Sequence, residues 1–117
     1  MTEDAQPNCP FCQIVAGKRP ARIIYRDAQV TAFRDINPQA PTHFLVVTNR
    51  HIRSISEAQA EQAPLLGGLL LAAAELARKE GLTGYRLVIN NGSEGGQTVW
   101  HLHVHVIGGR RMTWPPG

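Results

Sequence analysis

A chain of 117 residues, 43% apolar and 18% charged, has the length and composition of one globular domain with its own core. Its formal charge of +3 comes from 12 basic and 9 acidic residues scattered along the chain, which suits a small anionic ligand better than a nucleic-acid backbone. No apolar run reaches the roughly 20 residues that span a bilayer, and the acidic start, residues 1–4, lacks the character of a signal peptide. We therefore expect a cytoplasmic protein that binds neither nucleic acid nor membrane.

The N-terminal half predicts a tail, a short helix and three strands. Residues 1–8 are polar and are expected to form a loose tail, followed by one domain over residues 9–117. Residues 11–16 predict a short helix that ends at Gly17. β-rich runs follow at 23–25, 30–33 and 43–48, of which the first two predict a hairpin.

The C-terminal half predicts one long helix and two more strands. Ser56, with Gln59 three residues later, fits a capping box. Leucine and alanine then recur at helical spacing up to Gly81, and Pro64 either kinks this helix or starts its main segment. Residues 85–89 and 100–107 predict the fourth and fifth strands. Sequential strands with one long and one short helix indicate an α+β fold around a five-stranded antiparallel sheet.

Three of the five histidines stand at alternate positions, His101, His103 and His105, with apolar residues between them. A strand over residues 100–107 would place all three imidazoles on one face, about 7 Å apart at the backbone. Such a row can bind a metal, act as nucleophile and acid, or line a polar sheet face without chemistry. Strict alternation favours a chemical role, because three buried imidazoles are costly to satisfy without one.

The loop before the fifth strand bears on that choice. It is rich in glycine and carries the hydroxyls of Ser93 and Thr98. We expect exposed backbone N–H groups of Gly95 and Gly96, with these hydroxyls, to cradle phosphate oxygens; a plain connection between strands is the alternative. A phosphate cradle beside a neutral imidazole favours attack on phosphorus over metal-assisted hydrolysis.

These residues carry a resemblance to a known family. The alternating segment, residues 101–107, resembles the motif of the histidine triad (HIT) superfamily. The Hint branch is similar in further segments: residues 33–46, 84–90, 95–98 and the ending Trp-Pro-Pro-Gly of residues 114–117. The resemblance covers nearly the whole chain from Cys9. It implies a HIT-like domain that pairs into a homodimer with a continuous sheet, and hydrolysis of purine nucleoside 5′-phosphoramidates to AMP or GMP and an amine.

The resemblance also implies roles for single residues. His103 would be the nucleophile, forming a nucleotidyl-histidine, and His105 would contact phosphate and assist protonation of the leaving nitrogen. His101 and His43 would tune and position the row. The implied substrate-binding residues comprise a carboxylate for the ribose, groups that hold phosphate or ribose, apolar residues of the purine slot and an aromatic ring that reaches the partner subunit's site: Asp35; Asn90, Gly96, Gln97 and Thr98; Phe11, Ile14, Phe33 and Ile36; Trp114.

The two cysteines point to a separate site. Cys9 and Cys12 form a Cys-x-x-Cys pair, which in a reducing compartment indicates metal ligation or redox chemistry before a structural disulfide. The resemblance to bacterial Hint proteins adds His51 and His101, completing a tetrahedral structural Zn²⁺ site with no organic cofactor. His103 and His105 then remain for the chemistry.

Two alternatives stay open. One is hydrolysis of dinucleoside polyphosphates, as in the Fhit branch, against which the Trp-Pro-Pro-Gly ending argues. The other is a nucleotide-binding regulatory module in which turnover is incidental. The sequence leaves the leaving amine, the preferred purine base and the pathway undetermined.

Overall fold

The structure, a computed structural model, describes residues 5–117. These residues form two α-helices and five strands: α1 Pro10–Val15, β1 Ile23–Arg26, β2 Val30–Arg34, β3 Thr42–Thr48, α2 Ala63–Lys79, β4 Tyr85–Val88 and β5 His103–Gly108. The predicted α+β class with a five-stranded sheet, one long helix and one short helix is confirmed. The tail expected over residues 1–8 lies partly outside the described residues. Within the described part, Pro7 O accepts a 2.7 Å hydrogen bond from the Gln13 side chain.

The sheet is antiparallel throughout, with strand order β1-β2-β3-β5-β4. β3 and β5 are the central pair, in a register that sets Leu45 opposite His105 and Val47 opposite His103. Since side chains alternate between faces along a strand, this register puts His103, His105, Leu45 and Val47 on one face. Val46 and Val104, also paired, lie on the other.

The face that carries Val46 and Val104 is covered by α2. Leu69 and Ala73 of α2 are 1% and 0% exposed and belong to the same apolar cluster as Phe44 and Val106. Burial of these side chains, at about 1.5–3 kcal/mol for each large aliphatic or aromatic one, is the main stabilisation of the fold.

The start of α2 differs from the prediction. The helix begins at Ala63, and Ser56 lies in an upstream 3₁₀ turn, Ile55–Glu57. The capping box is formed instead by Gln59 and Gln62, around a second 3₁₀ turn. Pro64 lies in the first turn of α2, where a missing N–H costs no hydrogen bond. The predicted end at Gly81 is confirmed, because Glu80 caps the helix and Gly81 follows with φ +82°.

The start of β5 also differs, and this changes the histidine row. The strand begins at His103, not at residue 100. The backbone N–H of Leu102 donates to Ile52 O at 2.6 Å, outside the sheet. His101 therefore precedes the strand, and only His103 and His105 share its face as strand residues.

The opposite face of the sheet is covered by α1, which has only six residues. A helix this short is unstable alone, so its contacts hold it in place. Phe11 and Ile14 pack with Phe33, Leu45 and Val47 in a second apolar cluster. Cys9 is the N-cap, and its Sγ accepts a 3.3 Å hydrogen bond from the Cys12 backbone N–H.

Candidate active site and metal cluster

His103 is buried at the start of β5, and a backbone carbonyl determines its tautomer. Its Nδ1 lies 2.6 Å from His101 O. A carbonyl can only accept, so Nδ1 carries the proton and Nε2 keeps a lone pair. Burial lowers the pKa of His103, partly offset by the hydrogen bond to His101 O and by Asp35. The ring is thus a neutral imidazole with a free Nε2, the form in which histidine is nucleophilic.

His105, His43 and Asp35 form a polar group beside His103. His43 Nε2 lies 3.0 Å from His105 Nδ1 and 3.4 Å from Asp35 Oδ2. The His105 ring stands 5.0 Å from the His103 ring, centroid to centroid. Burial, with the neighbouring His103 and His43, lowers the pKa of His105 to about 4. Burial also lowers the pKa of His43, against an opposing effect of Asp35. Both rings are therefore neutral near pH 7.

A cavity of about 410 Å³ opens beside these imidazoles. Its volume suits a small organic ligand. His103 and His105 form one wall with Asp35, whereas Phe11 and Ile14 of α1 form an apolar wall. The structure brings ten of the predicted site residues to this cavity: Phe11, Ile14, Phe33, Asp35, Ile36, Asn90, Gly96, Thr98, His103 and His105. The result is an apolar slot that leads to a cluster of imidazoles and a carboxylate.

Four of the predicted catalytic and substrate-binding residues lie away from the cavity wall. His43 is behind His105, and His101 is fully buried beside the cysteines. The Gln97 side chain is 5% exposed, and its amide donates to Val99 O and to Arg53 O of a distant segment and accepts from the Gly92 N–H. Trp114 is 82% exposed, and Arg86 stands over its ring at 6.0 Å.

The glycine-rich loop does not offer the predicted phosphate cradle. Gly95 and Gly96 are exposed as expected, but their N–H groups donate to Gly92 O and Ser93 O, both at 3.1 Å, and so are not available to phosphate oxygens. The loop closes as consecutive turns, for which glycine is required. A Cβ at residue 95 would lie 2.4 Å from Asn91 O, and Gly96 has φ +88°. Instead, Gly96 and Thr98 of this loop form part of the cavity wall.

Sequence reasoning missed several residues that line the cavity. Leu45 lies two positions after His43 on β3. Because alternate residues of a strand share a face, this spacing could have predicted that Leu45 lines the cavity. Arg19, Pro20 and Ala21 reach the cavity from the segment after α1. No local sequence pattern marked these residues, because only the tertiary packing of their segment beside α1 brings them to the cavity.

Two thiols and two imidazoles meet at the other end of the histidine row. His101 Nδ1 lies 3.2 Å from Cys9 Sγ and 3.5 Å from Cys12 Sγ, and His51 Nδ1 lies 3.2 Å from His101 Nδ1 and 3.3 Å from Cys12 Sγ. A tetrahedral zinc ion with ligands at about 2.0–2.3 Å separates its ligand atoms by roughly 3.3–3.8 Å. The cluster therefore has the ligand types, and nearly the spacing, of a structural zinc site.

The backbone prepares His101 for such a role. Its Nε2 lies 2.7 Å from Thr48 O, so Nε2 carries the proton and Nδ1 directs its lone pair at the cysteines. This is the outer hydrogen bond that metal-binding histidines commonly make. His101 also supplies the carbonyl that accepts the hydrogen bond from His103. One residue therefore connects the cavity to the metal cluster, by which we mean the four side chains of Cys9, Cys12, His51 and His101.

Comparison with known proteins agrees with this geometry. The HIT domain family model matches residues 16–112. The chain is 53% identical over 108 residues to an uncharacterized HIT-like protein of Synechococcus elongatus, an alignment that covers 92% of this chain and 95% of the relative. The crystal structure of a HIT family hydrolase from Legionella pneumophila superposes with a TM-score of 0.92 at 50% identity, covering 94% of this chain and all of that one.

A second similar structure carries metal. It is a Zn-bound histidine triad family protein from Mycobacterium smegmatis, with a TM-score of 0.77 and 31% identity over 94% of this chain and 80% of that one. The fold and the imidazole-lined cavity thus define a histidine-triad domain of the type found in HIT family hydrolases. This chain belongs to the HIT domain family. Within residues 5–117, no helix is long and apolar enough to cross a membrane.

Proposed function

We propose that this protein hydrolyses purine nucleoside 5′-phosphoramidates to a nucleoside monophosphate and an amine, as the Hint branch does. The observation that carries the proposal is the hydrogen bond from His103 Nδ1 to His101 O, which leaves a neutral Nε2 in a nucleotide-sized cavity. A nucleophilic imidazole divides one difficult displacement at phosphorus into two easier ones.

In the first step, the Nε2 lone pair of His103 attacks the α-phosphorus. The P–N bond breaks, and the amine leaves with its electron pair and takes up a proton from solvent, which is balanced by the proton that the attacking water releases in the second step. In the second step, water attacks the phosphorus of the nucleotidyl-histidine, and the nucleoside monophosphate departs while His103 returns to its neutral form. His105 is adjacent to His103 and donates a hydrogen bond to the phosphoryl group or the leaving nitrogen.

The lining of the cavity supports binding of the rest of such a substrate. Phe11, Ile14, Phe33 and Ile36 offer apolar surface for a purine ring. The Asp35 carboxylate can accept two hydrogen bonds from ribose hydroxyls. Asn90 and Thr98 border the same cavity and would hold ribose or phosphate oxygens. For Gln97 and Trp114, the proposed substrate roles depend on the resemblance alone.

A substrate comparison tests the activity. Turnover of adenosine phosphoramidate and guanosine phosphoramidate should exceed turnover of diadenosine triphosphate, and acid quenching during turnover should trap nucleotidyl-protein linked through His103. A preference for diadenosine triphosphate would replace the proposal with the polyphosphate alternative. Nucleotide binding without turnover of any of these substrates would support the regulatory-module alternative.

We also propose that Cys9, Cys12, His51 and His101 hold a structural zinc ion. Bound there, zinc would crosslink the N-terminal segment to the residues before β5 and supply no chemistry to the reaction itself. Elemental analysis of protein never exposed to chelator should find about one zinc per chain. Protein without metal under that condition would reduce the cysteines to a structural or redox pair.

The remaining proposals are a homodimer with a continuous sheet, in which Trp114 reaches the partner's site, and a cytoplasmic location. Light scattering at micromolar concentration should return twice the chain mass of 12.8 kDa. A monomer at that concentration would contradict the dimer without touching the proposed chemistry.

A further inference from the structure

Asp35, His43 and His105 form a second cluster with the ligand types of a metal site. Their nearest ligand atoms all lie within 4.8 Å of one another. The individual separations are 3.0 Å between the two imidazoles, and 3.4 and 3.9 Å from these to the carboxylate. Two histidines and one carboxylate are a common ligand set for transition metals. Distances alone therefore leave open whether this cluster binds metal or hydrogen-bonds to substrate.

A backbone amide behind His43 distinguishes metal binding from hydrogen bonding to substrate. The N–H of Gln39 donates a 3.0 Å hydrogen bond to His43 Nδ1. An N–H can only donate, so Nδ1 of His43 must present its lone pair and cannot carry a proton. In a neutral imidazole the proton is then on Nε2, the nitrogen that faces His105 and Asp35. A metal at this position would need a lone pair on Nε2, which the amide denies it.

The same constraint passes on to His105. His43 Nε2–H points at His105 Nδ1, 3.0 Å away. Two N–H groups cannot face each other at that distance, so His105 Nδ1 accepts and its proton lies on Nε2. The Asp35 carboxylate is 3.9 Å from His105 Nδ1, too far to hold a proton there by a hydrogen bond, but at 3.4 Å it supports the proton on His43 Nε2.

We infer that the main-chain amide of Gln39 is a positioning group that sets the tautomers of His43 and His105, so that His105 presents Nε2–H to the bound substrate and the Asp35–His43–His105 cluster does not bind metal. The catalytic part of this inference, the hydrogen bond from His105 to the substrate, rests on the proposed function. The chain of hydrogen bonds ends at a peptide amide, which does not release its proton near neutral pH. A neutral His105 therefore donates a hydrogen bond through Nε2–H without releasing that proton, and no proton reaches it through His43.

Nitrogen-15 NMR of the ligand-free protein tests the tautomers without reference to activity. The chemical shifts of imidazole nitrogens distinguish protonated from unprotonated positions, and the five histidines can be assigned by loss of signals in single variants. At pH 7 and above, both His43 and His105 should show an unprotonated Nδ1 and a protonated Nε2. A proton on Nδ1 of either ring under these conditions would overturn the inference.

A pair of substitutions at residue 39 separates the amide from the side chain. Gln39→Pro removes the N–H, so the His105 signals should move towards values averaged over both tautomers. Gln39→Ala keeps the N–H and should keep the wild-type signature. Unchanged signals in a folded Gln39→Pro variant, or lost signals in Gln39→Ala, would contradict a role for the amide. If Gln39→Pro does not fold, the wild-type spectrum still decides.

Kinetics on adenosine phosphoramidate test the catalytic consequence. We expect kcat of Gln39→Pro to be roughly tenfold to a hundredfold below that of Gln39→Ala, with a much smaller change in KM, because a misdirected donor matters most in the transition state. Shifted tautomers with equal kcat would overturn the catalytic part and leave the tautomer assignment standing. Absence of phosphoramidate turnover in the wild type would count against the proposed function and not against the NMR result.

Discussion

The two faces of the sheet are built in different ways from alternate residues of the same strands. On one face, Val104 and Val106 of β5 pack against α2, a helix of 17 residues, in an entirely apolar cluster. On the other, His103 and His105 face a cavity whose cover is α1, a helix of six residues. One face therefore carries most of the apolar burial, and the other carries nearly all the groups capable of chemistry.

This division has a consequence for stability and activity. Val104 lies between His103 and His105 in sequence, but their side chains point to opposite faces. Substitutions on the α2 face should change the free energy of unfolding with little effect on chemistry, and substitutions on the cavity face should do the reverse. Four experiments test this division, in order of decreasing effect.

The largest effect is expected from His103→Asn. Asparagine keeps a donor for His101 O but has no nucleophilic nitrogen, so kcat on adenosine phosphoramidate should fall by at least about a thousandfold. The melting temperature and nucleotide affinity should stay close to the wild type, measured by thermal unfolding and calorimetric titration. Hydrolysis at the wild-type rate would exclude His103 as the nucleophile.

Leu69→Ala is the reciprocal variant on the α2 face. Leu69 is 1% exposed at the centre of the apolar cluster, so its truncation should cost about 2–5 kcal/mol in the free energy of unfolding, measured by urea denaturation. Where the variant is still folded, kcat should change by less than about threefold, because the imidazoles are positioned by β3 and β5 on the face of the sheet opposite Leu69. A loss of kcat comparable to that of His103→Asn would show that the faces are coupled.

Cys12→Ser probes the link between the metal cluster and the cavity wall. Cys12 is in the metal cluster, and its neighbours Phe11 and Ile14 line the cavity. If the proposed zinc is bound, this substitution removes a ligand and the short α1 loses a crosslink, so we expect loss of bound zinc and a roughly tenfold weaker affinity for AMP, which is about 1.4 kcal/mol.

The matched control for this experiment is Ile14→Ala. It removes apolar surface from the same wall but no metal ligand, so nucleotide affinity should fall while the zinc content stays at the wild-type value. Chelation of zinc from the wild type should reproduce the Cys12→Ser result. Metal-free protein that binds AMP as tightly as the wild type would break the link between cluster and cavity.

The sequence was sufficient for the sheet and the histidine motif because both are local patterns. Period-two alternation marks β5, and helical spacing marks α2. The errors lie where backbone hydrogen bonds decide. The N–H of Leu102 pairs with Ile52 and delays the start of β5, and Gly95 and Gly96 use their N–H groups inside the loop. The amide of Gln39 behind His43 belongs to the same class. Main-chain groups are identical in every residue except proline, so no residue pattern shows which side chain they will meet.

The smallest effect is the pH dependence of stability that His105 adds to the cavity face. Burial, with the positive charge that His103 and His43 acquire on protonation, holds the pKa of His105 at about 4, against about 6.5 in an unfolded chain. Between these values the unfolded state binds more protons, so the free energy of unfolding decreases as the pH falls through this window and is fully retained above about 6.5. In His105→Asn this contribution is absent. The wild type should therefore lose about 1 kcal/mol more than His105→Asn between pH 7 and pH 5.5 in urea denaturation. Equal losses would mean that His105 charges in the folded protein as readily as in the unfolded chain, which would contradict a neutral imidazole enclosed on the cavity face.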